Sequence, residues 1–374
     1  MTNWPTKKIS ECIQKLPKKS GIPLKQYLKK GKFPVIDQGQ DFIDGYTDDS
    51  DLVYESVLPV IIFGDHTRAI KFIDFPFAVG ADGTKVLKPI DFLDAKYFYF
   101  ALMSLNIKSR GYARHFSILK EKEIPLPSIG EQKRVVARLE KLLAKIDEAK
   151  RLRAEALEAV QSLLPAELHK IFDDGKKKNW KNIELDKVCV QITDGTHNAP
   201  PYVILGIPML DTKNIDDNFT IISTTATKFI SKNTDKLLSK RCKPRTDDIL
   251  ISSRGTIGKI AIVQAGQDFN IMGNIILIRH NQNLISKFLA YFLKHMVGDI
   301  NQVARGTSQK GLYLNKMRKY ILPLPSLAEQ KKIVARLDSL SEKVEKLKIY
   351  QQETASDLDA LKQSILHQAF EAKL

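Results

Sequence analysis

The sequence predicts an α+β chain: two strand-rich globules separated by a pair of long antiparallel coiled-coil helices, related as a pseudo-two-fold tandem duplication. Three observations carry this. One segment occurs twice, each copy opens a long heptad pattern, and the stretch before each copy is rich in short β-type runs. Residues 125–139 read PLPSIGEQKRVVARL and residues 323–337 read PLPSLAEQKKIVARL, with eleven of fifteen positions identical. The offset of 198 persists to Leu168-His169 and Phe172, which match Leu366-His367 and Phe370. Asn3-Trp4 matches Asn179-Trp180 at an offset of 176, so the second globule is the longer by 22 residues. The implied segments are a globule over 1–123, a helix over 124–176, a globule over 177–322 and a helix over 323–374.

In the first globule, Leu58–Phe63 and Ala69–Ile73 are apolar β-type runs, and Ala95–Leu105 reads as a helix. Pro125-Leu126-Pro127 is extended, because proline fixes φ and pushes its predecessor out of the α region. Ser128 with Glu131 has the spacing of a capping box, so a helix should start there and run over about 131–164. Its seam is Val135, Leu139, Leu142, Ile146, Ala149, Val160 and Leu163, interrupted at Arg153 and Ala156. Pro165 should break or kink it. In the second globule, Ile249–Ile251, Lys259–Val263 and Ile275–Ile278 read as strands and Leu284–His295 as a helix. Ser326 and Glu329 repeat the cap, and the second helix should run over 329–368. Its seam is Ile333, Leu337, Leu340, Val344, Leu347, Leu358 and Leu361, interrupted at Gln351 and Thr354. Equal helices from a duplication pair most simply with each other. Packing of each helix on its own globule, or against another chain, is the alternative.

The chain has 374 residues, with 59 Lys and Arg against 43 Asp and Glu, a net charge of +16. The excess is uneven: residues 180–322 carry +9, while residues 323–374 are neutral. A basic globule suits a polyanion such as nucleic acid, and equally suits plain solubility. No apolar run approaches the ~18 residues of a membrane span. Cys12, Cys189 and Cys242 have neither disulfide-framework nor metal-ligand spacing, which with the polar start at Met1–Lys7 implies a cytoplasmic, reducing setting.

No complete catalytic motif is present. Ala199-Pro200-Pro201-Tyr202 resembles the polar-Pro-Pro-aromatic motif of amino-methyltransferases, with alanine where the target amine would be received. Gly255–Ile260 lacks the spacing and the Ser/Thr of a phosphate loop. Asp65-His66 has no nucleophile motif beside it, and no metal site is expected. What remains are polar, glycine-containing turns: Gly64, Asp65, His66, Thr67 and Arg68; Arg110, Tyr112 and Arg114; Thr196 and His197; Ser253, Arg254 and Thr256; and Arg305, Thr307, Ser308, Gln309 and Lys310. Arginine pairs bidentately with guanine and Asn or Gln with adenine, while hydroxyls and lysine suit phosphates. Arg68 and Arg254 are the strongest single candidates. A lysine cluster, Lys15, Lys18, Lys19, Lys25, Lys29, Lys30 and Lys32, has Tyr27 and Phe33 among it. It reads as a phosphate-contact patch or a solvated edge.

Two divergent globules, each followed by Pro-Leu-Pro-Ser-x-x-Glu-Gln-Lys and a long helix, resemble the specificity subunit of type I restriction–modification enzymes over the whole chain. The resemblance implies that residues 1–123 and 177–322 are target-recognition domains, each reading half of a split site in double-stranded DNA. It implies that the helices set the spacer and dock two methyltransferase subunits, which a restriction subunit then joins. Glu131, Gln132, Arg138 and Leu139, with Glu329, Gln330, Arg336 and Leu337, would serve that docking and the coiled coil. S-adenosylmethionine, ATP and Mg²⁺ would belong to those partners, leaving this chain non-catalytic and without a cofactor or membrane partner. A recognition subunit of a type IIB or methylation-only system, or a coiled-coil scaffold without a DNA role, would share these features.

Overall fold

The computed structural model describes residues 4–371 except 18, 81, 106, 110, 112, 178–179, 217, 223–225, 299 and 301–311. The chain divides into two compact units. One comprises residues 1–155 and 351–374, the other residues 156–350.

The first unit is built on a four-stranded sheet in the order Ile13–Gln14, Thr84–Pro89, Val60–Gly64, Ile70–Ile73. Val60–Gly64 is buried throughout, as expected of a strand covered on both faces. Its residues alternate between two cores. Ile61 and Phe63 join the core under helix Ala95–Ser104, while Val60 and Ile62 join Ile36, Tyr54 and Phe77 of a second four-stranded sheet. That second sheet runs Gly45–Thr47, Phe33–Ile36, Phe77–Val79, Val53–Tyr54, with one parallel pair. A short ladder, Thr6–Lys8 against Glu123–Pro125, ties the start of the globule to the start of the first long helix.

The second unit repeats this plan. Its central sheet runs Cys189–Asp194, Ile275–His280, Ile249–Ser252, Ile260–Ile262, again first, last and then the middle hairpin. The same alternation holds: Ile249 and Ile251 face the core under helix Ser286–His295, and Leu250 faces the second core. A second sheet again contains one parallel pair, Ile207–Leu210 with Asn270–Ile271, and Lys181–Glu184 pairs with Ile321–Leu324.

The first long helix spans Ile129–Lys177 and the second Leu327–Phe370. In the first unit they run antiparallel: Lys150 pairs with Asp359, and Arg153, three residues on, donates to the Gln351 carbonyl and the Thr354 hydroxyl. The seam interruption is therefore a made polar layer. In the second unit Glu167 pairs with Arg336 at 2.6 Å, and Leu164, Leu168 and Phe172 share a core with Ile333 and Leu337. Each helix also packs on a globule, since Val135, Val136, Leu139, Leu143 and Ile146 share the first unit's core with Phe98 and Leu102 as well as with Leu366.

That double packing corrects two expectations. A strict heptad seam does not hold: Leu163, Leu347 and Leu361 are exposed, while Leu143 and Leu164 are buried. A helix facing both a globule and a second helix needs a stripe wider than the a/d positions. The first helix also runs through Pro165 unbroken. A proline inside a helix costs about 3 kcal/mol. Burial of Leu164, Leu168 and Phe172 on either side, worth roughly 1.5–3 kcal/mol each, offsets it.

Candidate nucleic-acid interface

The Gly64–Arg68 and Ser253–Thr256 turns occupy the same place in the two folds. Each joins the third strand of the central sheet to the fourth, Val60–Gly64 to Ile70–Ile73 and Ile249–Ser252 to Ile260–Ile262.

In the second globule, Ser252 holds its turn closed. Its hydroxyl donates to the Thr256 carbonyl at 2.6 Å and accepts from the Lys259 amide at 2.8 Å. Gly255 and Gly258 take φ of +74° and +90°, open to glycine at little cost. Ser253 is buried while Arg254 and Thr256 are exposed at the tip. Beside this turn, strand Cys189–Asp194 runs into Gly195, where a Cβ would come within 2.1 Å of the Ile271 carbonyl oxygen. That close approach places Thr196 in a bridge with Met272 and lays the His197 ring over Gly273. Asp194 then orients two cationic or polar groups at once, His197 Nε2 at 2.8 Å and the Arg241 guanidinium. Asp194, His197, Ser253, Arg254, Tyr313 and Asn315 are among the residues lining a depression of about 310 Å³. Donors converge there: an imidazole, a guanidinium and an amide, the set suited to base edges and phosphates.

Arg241 was not anticipated from the sequence. It lies 47 residues from Asp194 and carries no motif, so only the fold brings it to the site. Three other cations in this globule make contacts within it. Arg279 pairs with buried Asp248 at 2.6 Å, Lys243 bridges Asp235 and Asp268, and Lys259 donates to the Ile215 carbonyl. Part of the excess positive charge is thus structural.

The first globule's turn differs in detail. Asp65 is 2% exposed. Its carboxylate accepts from the Phe116 amide at 2.7 Å, and its carbonyl accepts from the backbone amide of buried His115. Asp65 therefore holds the segment before helix Phe116–Lys120 and cannot reach DNA, and Gly64 is buried beside it. Thr67 donates to the Gln38 carbonyl, and the His66 amide donates to the Gln38 side chain. Arg68, at φ +64°, donates to the Ile107 carbonyl at 2.9 Å and lines a cleft of about 790 Å³ with Ser104 and His367. Arg114 is exposed, whereas Arg110, Tyr112, Arg305, Thr307, Ser308, Gln309 and Lys310 lie outside the described residues. Of the lysine cluster, Lys19 is tied to the Asp51 carbonyl, Lys25, Lys29, Lys30 and Lys32 are exposed, and Lys18 is not described.

The helix-start residues separate cleanly. Gln132 and Gln330 are wholly buried, so they face no partner. Gln132 donates to the Phe92 and Pro127 carbonyls and accepts from the Asp94 amide. Gln330 repeats this with Asn283, Pro325 and Ile285. Leu139 and Leu337 are also fully buried. Glu131 pairs with Arg134 and Arg336 with Glu167, leaving Arg138 as an exposed position on the first helix. No helix among the described residues is long and apolar enough to cross a membrane.

Known proteins with the same organisation bear on this geometry. The chain is 27% identical to the type I restriction enzyme EcoBI specificity subunit of Escherichia coli, over 96% of this chain and 81% of that one. It is 24% identical to the EcoR124I/EcoR124II specificity subunit of the same organism, over 86% and 82%. A chain from a structural study of type I R-M complex assembly and conformational transition superposes with a TM-score of 0.74 at 21% identity, covering 100% of this chain and 99% of that one. The HsdS subunit of Thermoanaerobacter tengcongensis superposes at 0.59 with 21% identity, over 100% and 98%, so the fold is shared across the full length. The type I restriction modification DNA specificity domain matches twice, at residues 1–158 and 177–353, once on each copy of the duplicated plan, and the chain belongs to the family of type I restriction–modification specificity subunits, the non-catalytic DNA-recognition components of those enzymes.

Proposed function

We propose that residues 1–123 and 177–322 are two target-recognition domains, each reading one half of a bipartite double-stranded DNA site. Residues 124–176 and 323–374 then form the connecting helices, which dock two methyltransferase subunits and, through them, the restriction subunit. The observation that carries this reading is the equivalence of the two turns. The same hairpin of the same sheet is presented by both globules, yet its turn reads Asp65-His66-Thr67-Arg68 in one and Ser253-Arg254-Gly255-Thr256 in the other. Equivalent position with divergent chemistry is what two related readers of different half-sites require. Methyl donor, ATP and Mg²⁺ are assigned to the partner subunits. In the second domain, Asp194 holds His197 and Arg241, and Arg254 stands at the rim. Thr196, Ser253 and Thr256 supply hydroxyls around them. In the first, His66, Arg68 and Arg114, with Arg110 and Tyr112, are the proposed contacts.

The test is binding of duplex DNA by the chain assembled with its methyltransferase partner, measured against salt. Specific binding should weaken steeply as salt rises, as released counterions demand. Asp194→Asn, which removes the charge holding both His197 and Arg241, should reduce specific binding at least about tenfold. That is the scale of one lost charge-assisted contact of roughly 1.5–3 kcal/mol. Unchanged binding by Asp194→Asn would remove this pocket from the interface.

A further inference from the structure

His169, Asp173 and His295 come together in the second unit, and none of them is among the proposed DNA contacts. His169 and Asp173 are one turn apart on the first long helix, and His295 is the last residue of helix Ser286–His295. His169 Nδ1 stands 2.6 Å from one Asp173 oxygen, and His295 Nε2 stands 3.9 Å from the other. One donor atom from each residue can be chosen so that all three lie within 4.8 Å of one another. Fully buried Phe172 stacks on the His295 ring, with centroids 5.5 Å apart and planes 27° apart, which fixes the imidazole's orientation.

We propose that these three side chains form a binding site for a divalent first-row transition ion, with Zn²⁺ as the probe. Two imidazoles and a carboxylate are the donor set such ions select, whereas Ca²⁺ and Mg²⁺ prefer oxygen alone. Ligand bonds of about 2.0–2.2 Å in a tetrahedral site leave the fourth position to water. Closing the set takes only small side-chain movements, chiefly of the exposed His169. The carboxylate already lies between the two rings, with one oxygen toward each. The ion joins the first long helix to the last turn of the globule's helix. It holds a recognition domain against its own helix and stabilises that unit by mass action.

The duplication supplies an internal comparison. His367 is the repeat counterpart of His169, and it pairs with Glu371, the counterpart of Asp173, at 2.9 Å. Two matched contacts align the globule helices. Gln132 meets the Asp94 amide as Gln330 meets Ile285, and Lys96 pairs with Glu140 as Lys287 pairs with Asp338. In that register Ser104 stands where His295 stands, and Ser104 and His367 line one cleft. The first unit thus has two of the ligands and lacks the third.

The test is calorimetric titration of the full-length, tag-free, chelator-stripped chain with ZnCl₂, together with its thermal midpoint. The expected result is one saturable site per chain and a raised midpoint. His295→Ala and His169→Gln should each weaken the site by more than about tenfold, the cost already seen for lesser losses around metal ligands. His367→Ala should leave it unchanged. Ser104→His should add a second site, a gain that does not depend on how the second unit tolerates substitution. No saturable site in the parent chain, or a site that keeps its affinity in both His295→Ala and His169→Gln, overturns the proposal.

Discussion

Replacing Gln330 by leucine should destabilise the second unit by about 2–4 kcal/mol. The side chain is 0% exposed and makes three hydrogen bonds to the backbone: to the carbonyls of Asn283 at 3.0 Å and Pro325 at 3.1 Å, and from the Ile285 amide at 2.9 Å. Leucine fills the volume and satisfies none of them. One half-buried amide and two carbonyls lose a partner, at roughly 1–3 kcal/mol for each group left without another. The carbonyls have second lone pairs, which places the total at the lower end of the simple sum. Against a domain stability of about 5–15 kcal/mol this is a large fraction. The assay is urea unfolding of the full chain, with amide exchange at Ile285 as the local probe. That amide should lose protection in the variant, and Gln132→Leu should do the same at Asp94 in the first unit. A loss below about 0.5 kcal/mol, the scale of an ordinary surface substitution, would refute the assignment of the repeated Glu-Gln element to an internal latch.

Further outcomes follow from the same geometry. Arg254→Ala should cost about 1–3 kcal/mol against one base if it reads a base edge, measured by competition between duplexes. A loss equal across all sequences, with a smaller salt slope, would assign it to a phosphate. Arg68→Ala should lower thermal stability as well as DNA binding, because its guanidinium holds the Ile107 carbonyl, and melting of the free chain checks the first effect. Burial pushes the thiols of Cys12 and Cys242 up to about 11 and that of Cys189 up to about 12. The folded chain therefore holds protons that the unfolded chain releases near the ordinary thiol value of about 8.5. Their contribution is fully present below that pH and is lost as pH rises toward 11–12, so urea midpoints should fall between pH 8 and pH 11. Iodoacetamide at pH 8 should label all three only after unfolding.

Much of the scaffold was legible because it is local. The Pro-Leu-Pro stretch, the Ser-x-x-Glu spacing and the apolar runs of Val60–Phe63 and Ile275–Ile278 act over a few residues, and the duplication doubled each signal. The Ser128 and Ser326 hydroxyls do accept from the amides of Glu131 and Glu329, both at 3.4 Å. The shared sheet order was not legible, because strand pairing joins residues as distant as Ile13 and Pro89, and the partners need only be apolar. The site was legible only in part for the same reason. A turn sequence shows that Asp65 and Arg254 are polar, not that one caps a buried helix start while the other stands exposed. The resemblance assigns Gln132 and Gln330 to docking or the coiled coil, whereas a repeated residue is equally the mark of an internal contact that both copies need.

Everything proposed for the DNA interface rests on the two globules reading separate half-sites. The most direct measurement is methylome sequencing of cells carrying the partner subunits with either this chain or a version whose residues 177–322 come from another family member. The parent chain should give a split methylated motif, and the hybrid a motif in which one half is replaced and the other half is kept. A hybrid that changes both halves, or a parent motif that is not split, would contradict it.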